Sequence, residues 1–178
     1  NPSSRAKIRR DFAWLKSNGI HSVRWFLFAD GRASPEFDSD GNVKGLDEHF
    51  FHDMDAALAI AEENGISIIF VLFDYLLCQE ARIDNGVQLG GHASLITEPS
   101  MRQSMIVHAL APMLERYGRH PAIAGWDVMN EPEGAMSITG GHWVDGAVPA
   151  EDMQAFVREV VTAIHRDARQ PATLGCAS

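Results

Sequence analysis

The sequence predicts a parallel α/β fold, a partial (β/α)8 barrel with roughly four strands and flanking helices, on three observations. Apolar runs of strand length alternate with helical segments along nearly the whole chain. The runs lack an inside–outside alternation, as expected of strands buried on both faces. The segments that follow the strands, 29–46, 74–98 and 131–149, are long and turn-rich, whereas the helix-to-strand joints are two or three residues. That asymmetry is how a barrel builds its working face from loops.

Taken in order, residues 5–17 space Ile8, Phe12 and Leu15 at helical intervals, and Asn18-Gly19 supplies the stop. Residues 21–28 are a buried strand interrupted by one full charge, Arg24. Residues 47–63 place Phe51, Met54, Leu58 and Ala61 on one helical face, closed by Asn64-Gly65. Residues 66–73 are the second strand. Residues 99–117 are the third helix, with Pro112 inside it to kink or split it. The third strand is 122–129, the fourth helix is 150–168, and Thr173-Leu174-Gly175 opens a fourth strand. No Gly-rich phosphate loop follows the first strand, which argues against an open nucleotide-binding sheet.

Length and composition bound the function. A chain of 178 residues, 46% of them hydrophobic, can build one sizeable core and is expected to be a single domain. A net charge of −9 disfavours nucleic acid and anionic membrane surfaces, which need clustered Lys and Arg. No apolar run approaches the roughly 20 residues of a membrane span. The cysteines Cys78 and Cys176 form no CxxC or disulfide pattern and read as two buried thiols. No signal peptide is visible, but the chain starts at Asn1 rather than Met, so its compartment stays open.

The chemistry centres on Gly125-Trp126-Asp127-Val128-Met129-Asn130-Glu131-Pro132. A carboxylate at the C-terminal end of a buried strand projects into the mouth of a barrel, where catalytic residues stand. Glu131 is therefore the candidate acid/base, and Asn130 can hydrogen-bond a sugar hydroxyl beside the reacting carbon. Trp126 reads as core. Arg24, alone in an apolar strand, calls for a carboxylate partner in the mouth or else snorkels to the surface. Trp143 with His142 forms either a sugar-stacking platform or a loop-packing anchor. Asp38-Ser39-Asp40-Gly41-Asn42 begins like a calcium loop, but the sixth and twelfth positions are Val43 and His49, so a turn is expected. His49 and His52 near Asp53 read as a solvated helix face, and no GxSxG elbow is present.

The stretch 112–133 (PMLERYGRHPAIAGWDVMNEPE) resembles the fourth strand and its lead-in helix in clan A glycoside hydrolases, closest to the family-five cellulases and mannanases. Val23-Arg24-Trp25 resembles their second strand. The resemblance implies a TIM barrel acting on a β-linked glucan or mannan by a retaining mechanism, without metal or organic cofactor. It implies that Glu131 is the general acid/base, that Asn130 binds substrate and that Arg24 supports the nucleophile. Many relatives carry a His after the third strand; here Asp74 and Tyr75 stand there and are the candidates for polar contacts. A complete barrel needs about 250 residues, so the first strand, the last three and the nucleophile are expected to be absent. Two half-barrels are then expected to share a core as a homodimer. The competing readings are a non-catalytic half-barrel and another barrel enzyme using Glu131 as a base. The latter lacks a strand lysine, since Lys7, Lys16 and Lys44 fall outside the predicted strands.

Overall fold

A computed structural model describes residues 2–137 and 143–177. The first helix, α1, spans Pro2–Ser17 and ends where Gly19 takes a positive φ of 76° and the Ile20 N–H returns to the Leu15 carbonyl at 3.0 Å. Strand β1 (Ser22–Ala29) leads into a two-stranded antiparallel ribbon, β2 (Glu36–Phe37) and β3 (Val43–Gly45). Lys44 thus lies in a strand after all, although one outside the main sheet. Helix α2 (Phe50–Asn64) stops on left-handed Gly65, whose N–H caps the Ala61 and Glu62 carbonyls.

Strand β4 (Ser67–Asp74) runs into a 3-10 turn, Tyr75–Cys78, and a second ribbon, β5 (Arg82–Asp84) and β6 (Val87–Leu89). The short helix α3 (Ser94–Thr97) precedes α4 (Pro99–Met105), a π-helical turn at Ile106–Leu110 and α5 (Ala111–Tyr117). Pro112 explains the break: it has no N–H for the carbonyl four residues earlier, and its ring would strike that carbonyl. The wider π turn makes room for both. Strand β7 (Ile123–Asn130), a 3-10 turn at Pro132–Ala135, helix α6 (Ala150–Asp167) and strand β8 (Ala172–Gly175) complete the order. The helix-to-strand joints, 18–21, 65–66, 118–122 and 168–171, are mostly longer than the sequence suggested.

The four long strands form one parallel sheet in the order β1-β4-β7-β8. Parallel register sets Trp25, Phe70 and Trp126 side by side on one face. Phe12 of α1 meets Trp25 edge-on at 5.8 Å, so this face carries the helices, and Phe70 stacks on Trp126 at 5.8 Å. Trp126 is fully buried, as its reading as core requires. The opposite face presents Arg24, Phe26, Ile69 and Asp127. Among the described residues no helix is long and apolar enough to cross a membrane.

Candidate active site

The C-terminal ends of the strands gather the polar residues that the sequence singled out. Arg24 of β1 donates through Nη2 to Asp127 Oδ2 at 2.6 Å and to Asn130 Oδ1 at 3.2 Å. Asn130 Nδ2 donates in turn to Asp74 Oδ2 at 2.9 Å, across the register pair Asp74–Asn130. The other oxygen of Asp74 accepts the Leu76 N–H at 2.9 Å, which starts the 3-10 turn after β4. Asp127 is only 2% exposed and also accepts the Gly175 N–H at 3.0 Å. Arg24 therefore has a carboxylate partner within this chain, as a lone arginine in an apolar strand calls for.

Glu131 directly follows β7 with φ 51° and ψ 52°, a left-handed conformation uncommon for a residue with a side chain. Two backbone bonds hold it there: its N–H to the Gly175 carbonyl at 2.6 Å, and its carbonyl to the Gly134 N–H at 2.9 Å. Strain of this kind persists only where the surroundings over-determine it, and it clusters at functional sites. Pro132 then opens the 3-10 turn that carries the chain away from the sheet.

Beyond that turn, the Trp143 N–H binds the Gly134 carbonyl at 2.7 Å. A Cβ at position 134 would lie 2.4 Å from the Trp143 ring, so glycine lets the indole settle there. The indole stands edge-on to Tyr75 at 5.3 Å and remains 55% exposed. Arg24, Asp127, Asn130 and Asp74 thus form one hydrogen-bonded constellation, with Glu131 next along the chain from Asn130, and Tyr75 with Trp143 forms a second. His142 lies outside the described residues.

No family model matches the chain. Over 166 residues it is 32% identical to a mannan endo-1,4-β-mannosidase of Mytilus edulis, an alignment covering 84% of this chain and 43% of that protein. Its homologues are mannan endo-1,4-β-mannosidases. The endo-1,4-β-mannanase of Eisenia fetida superposes with a TM-score of 0.82 at 27% identity, over 97% of this chain and 50% of that one. The β-mannanase of the blue mussel Mytilus edulis gives 0.80 at 28%, over 94% and 51%. The chain spans about half the length of the mannanases it matches. Its fold, four parallel strands of one sheet flanked by helices, is the one found in about half of those TIM-barrel structures.

Sequence reasoning missed Asp127 and Gly175. A signal was available for the first, because Asp127 is the one charged residue in strand 122–129, as Arg24 is in 21–28. Two lone opposite charges in buried strands of one sheet are natural partners. Other expectations resolve plainly. Asp38 Oδ1 accepts the N–H groups of Asp40 and Asn42, each at 2.9 Å, so that segment is a turn. Asp53 pairs with Arg5 at 3.3 Å. Cys78 is buried, and burial pushes its thiol pKa up to about 12, but Cys176 is exposed. The expectation of two buried thiols fails because β8 is an outermost strand and Cys176 lies past its end.

Proposed function

We propose that this chain is the acid/base-bearing part of a glycoside hydrolase that cuts β-1,4 linkages of mannan with retention at the anomeric carbon. One observation carries the reading. In a protein whose homologues are mannanases, Glu131 leaves the end of a central strand beside the linked side chains Arg24, Asn130, Asp74 and Asp127. Glu131 protonates the departing glycosidic oxygen, then takes a proton from the water that releases the glycosyl–enzyme intermediate. The nucleophile is a second carboxylate about 5–5.5 Å away, supplied from outside this chain. Arg24, 43% exposed and bound only through Nη2 among the described residues, keeps Nε and Nη1 to orient it. Asn130 binds the sugar hydroxyl beside the reacting carbon. Trp143, braced by Tyr75, offers an apolar face to a pyranose ring. No metal or organic cofactor enters this scheme.

The test is hydrolysis of an aryl β-mannobioside and an aryl β-cellobioside by this chain together with the part that supplies the nucleophile, with and without Glu131→Ala. The expected result is preference for the mannobioside and a loss in the variant of at least about a hundredfold, the usual worth of a general acid. Undiminished hydrolysis in Glu131→Ala overturns the assignment of Glu131, and a preference for the cellobioside overturns the mannan reading.

A second reading, a catalytically incomplete half-barrel that self-associates, rests on a separate observation. Strands β1 and β8 are the outermost of the sheet, and Phe26 on the helix-free face is 39% exposed. In this reading a second copy pairs those edges and covers that face, forming a homodimer with two-fold symmetry. Inactivity together with a doubled mass in light scattering would favour it; the mass of one chain in dilute solution would sink it.

A further inference from the structure

We propose that Asp74 and Asp127 are positioning residues that lock the side-chain amide of Asn130 in one orientation, with one N–H left to donate to a ligand. The ligand part of this inference rests on the sugar-binding role given to Asn130 above; the lock itself does not.

The chemistry of the neighbours fixes the orientation independently of any placement of hydrogens. An arginine carries donors only, and a carboxylate carries acceptors only. An amide bridging the two has a single self-consistent arrangement, with its oxygen toward Arg24 at 3.2 Å and its nitrogen toward Asp74 at 2.9 Å. Reversal would set oxygen against oxygen on one side and donor against donor on the other. The amide oxygen faces the guanidinium and accepts one of its N–H groups, and one amide hydrogen is committed to Asp74. Among the described residues the second hydrogen has no acceptor, so Asn130 meets a ligand as a donor to an oxygen.

Each jaw of the lock is itself held. Asp74 is pinned by the Leu76 N–H on its other oxygen. Arg24 is pinned by Asp127, whose second oxygen takes the Gly175 N–H. A side chain at position 175 would displace this pair, because a Cβ there would lie 2.6 Å from Arg24 Nη2 and 2.9 Å from Asp127 Oδ2. All four strands of the sheet contribute: Arg24 from β1, Asp74 from β4, Asp127 and Asn130 from β7, and Gly175 from β8. Asp74 was expected to contact sugar directly. Each of its oxygens already accepts a protein donor, which suits it to holding Asn130 instead.

The lock is testable by NMR on the 15N-labelled 178-residue chain, with the Asn130 Nδ2 protons assigned by their loss in Asn130→Ser. In the unaltered protein they are expected to give two well-separated signals that exchange slowly with water. Asp74→Asn puts in a group that donates as readily as it accepts. It is expected to speed their exchange about tenfold, the worth of one hydrogen bond to a charged group, while the backbone spectrum is kept. Asp127→Asn is expected to act in the same direction by releasing Arg24. If Asp127→Asn does not fold, Asp74→Asn decides alone. The lock is overturned if the Asn130 protons exchange like those of a solvent-exposed amide in the unaltered protein. It is equally overturned if Asp74→Asn leaves their exchange unchanged with the backbone spectrum intact. Addition of mannotriose separates the two inferences. Slow exchange with no shift of the Asn130 signals at saturating mannotriose would overturn the ligand role and not the lock.

Discussion

The two faces of the four-stranded sheet are built on different physics, although they share the same strands. The helix-bearing face is closed by apolar contact: Phe12 against Trp25, Phe70 on Trp126, and Phe73 against Phe156 of α6 at 5.8 Å. The other face sets an arginine, a half-exposed phenylalanine and a buried carboxylate in adjoining register. There Arg24 also lies 5.9 Å over the Phe26 ring. The first face stabilises the fold through buried area and tolerates no loss of volume. The second spends buried polar groups on one another and gains little net stability from them. A site can be assembled on such a face because its residues are held by directional bonds and not by close packing alone.

The largest effect that this contrast predicts is on the helical face. Trp126→Ala should cost about 3–5 kcal/mol, because a fully buried indole leaves a cavity beside Phe70 and takes the donor from Gln170 Oε1. A urea midpoint equal to that of the unaltered chain would show that the helical face is not the source of stability. Asp127→Ala, one residue along and on the other face, should cost less, about 2 kcal/mol. It strands the Gly175 N–H, but Arg24 is exposed enough to recover water. If the two variants lose equal stability, the distinction between the faces fails.

The same division decides how much was legible in the sequence. Apolar runs marked the strands at 21–28, 66–73 and 122–129. Burial on both faces, a local property of the residues, holds for the two central ones, β4 and β7. Strand β1 was expected to be buried too but is an outermost strand with Ser22, Arg24 and Phe26 exposed. The place of Asn130 and Glu131 at the end of β7 was legible for a related reason, since the end of a buried strand is a place that sequence can point to. The bond from Arg24 to Asp127 joins residues 103 positions apart, and a lone charge announces the need for a partner without naming it. The left-handed backbone at Glu131 was equally hidden, being imposed by Gly134 and Gly175 rather than by its own side chain. The ribbons carry only a short signal in sequence. Asn85-Gly86, both at positive φ, joins strands of three residues each.

A smaller effect concerns pH, and it belongs to the loops above the strand ends. His92, nearly buried, stacks on Phe37 at 3.9 Å and closes against Gly31. Burial lowers its pKa, with the charge of Asp30 pulling weakly the other way. A lowered histidine pKa means that the unfolded chain binds the proton more readily. The stability it contributes is complete above the unfolded value of about 6.5 and is lost as pH falls below it, toward the folded pKa. Urea midpoints should therefore drop between pH 7.5 and pH 5.5, and His92→Phe, which keeps the stack, should flatten that drop. An unaltered pH slope in the variant would remove His92 from the account.

The smallest effect on stability is expected at Phe26, and it tests the comparison most sharply. Its ring stands on the helix-free face and is 39% exposed, so Phe26→Ser should change the stability of the isolated chain by no more than about 0.5 kcal/mol. Trp25, its neighbour in sequence on the opposite face, packs against Phe12 and should cost several times more when cut to Ala. If a second copy covers the face that Phe26 lines, the serine variant should also weaken self-association, seen as a lower mass in light scattering at equal concentration. A large loss of stability with unchanged mass would mean that Phe26 is already packed within a single chain. The two faces would then differ in polarity and not in how completely the chain closes them.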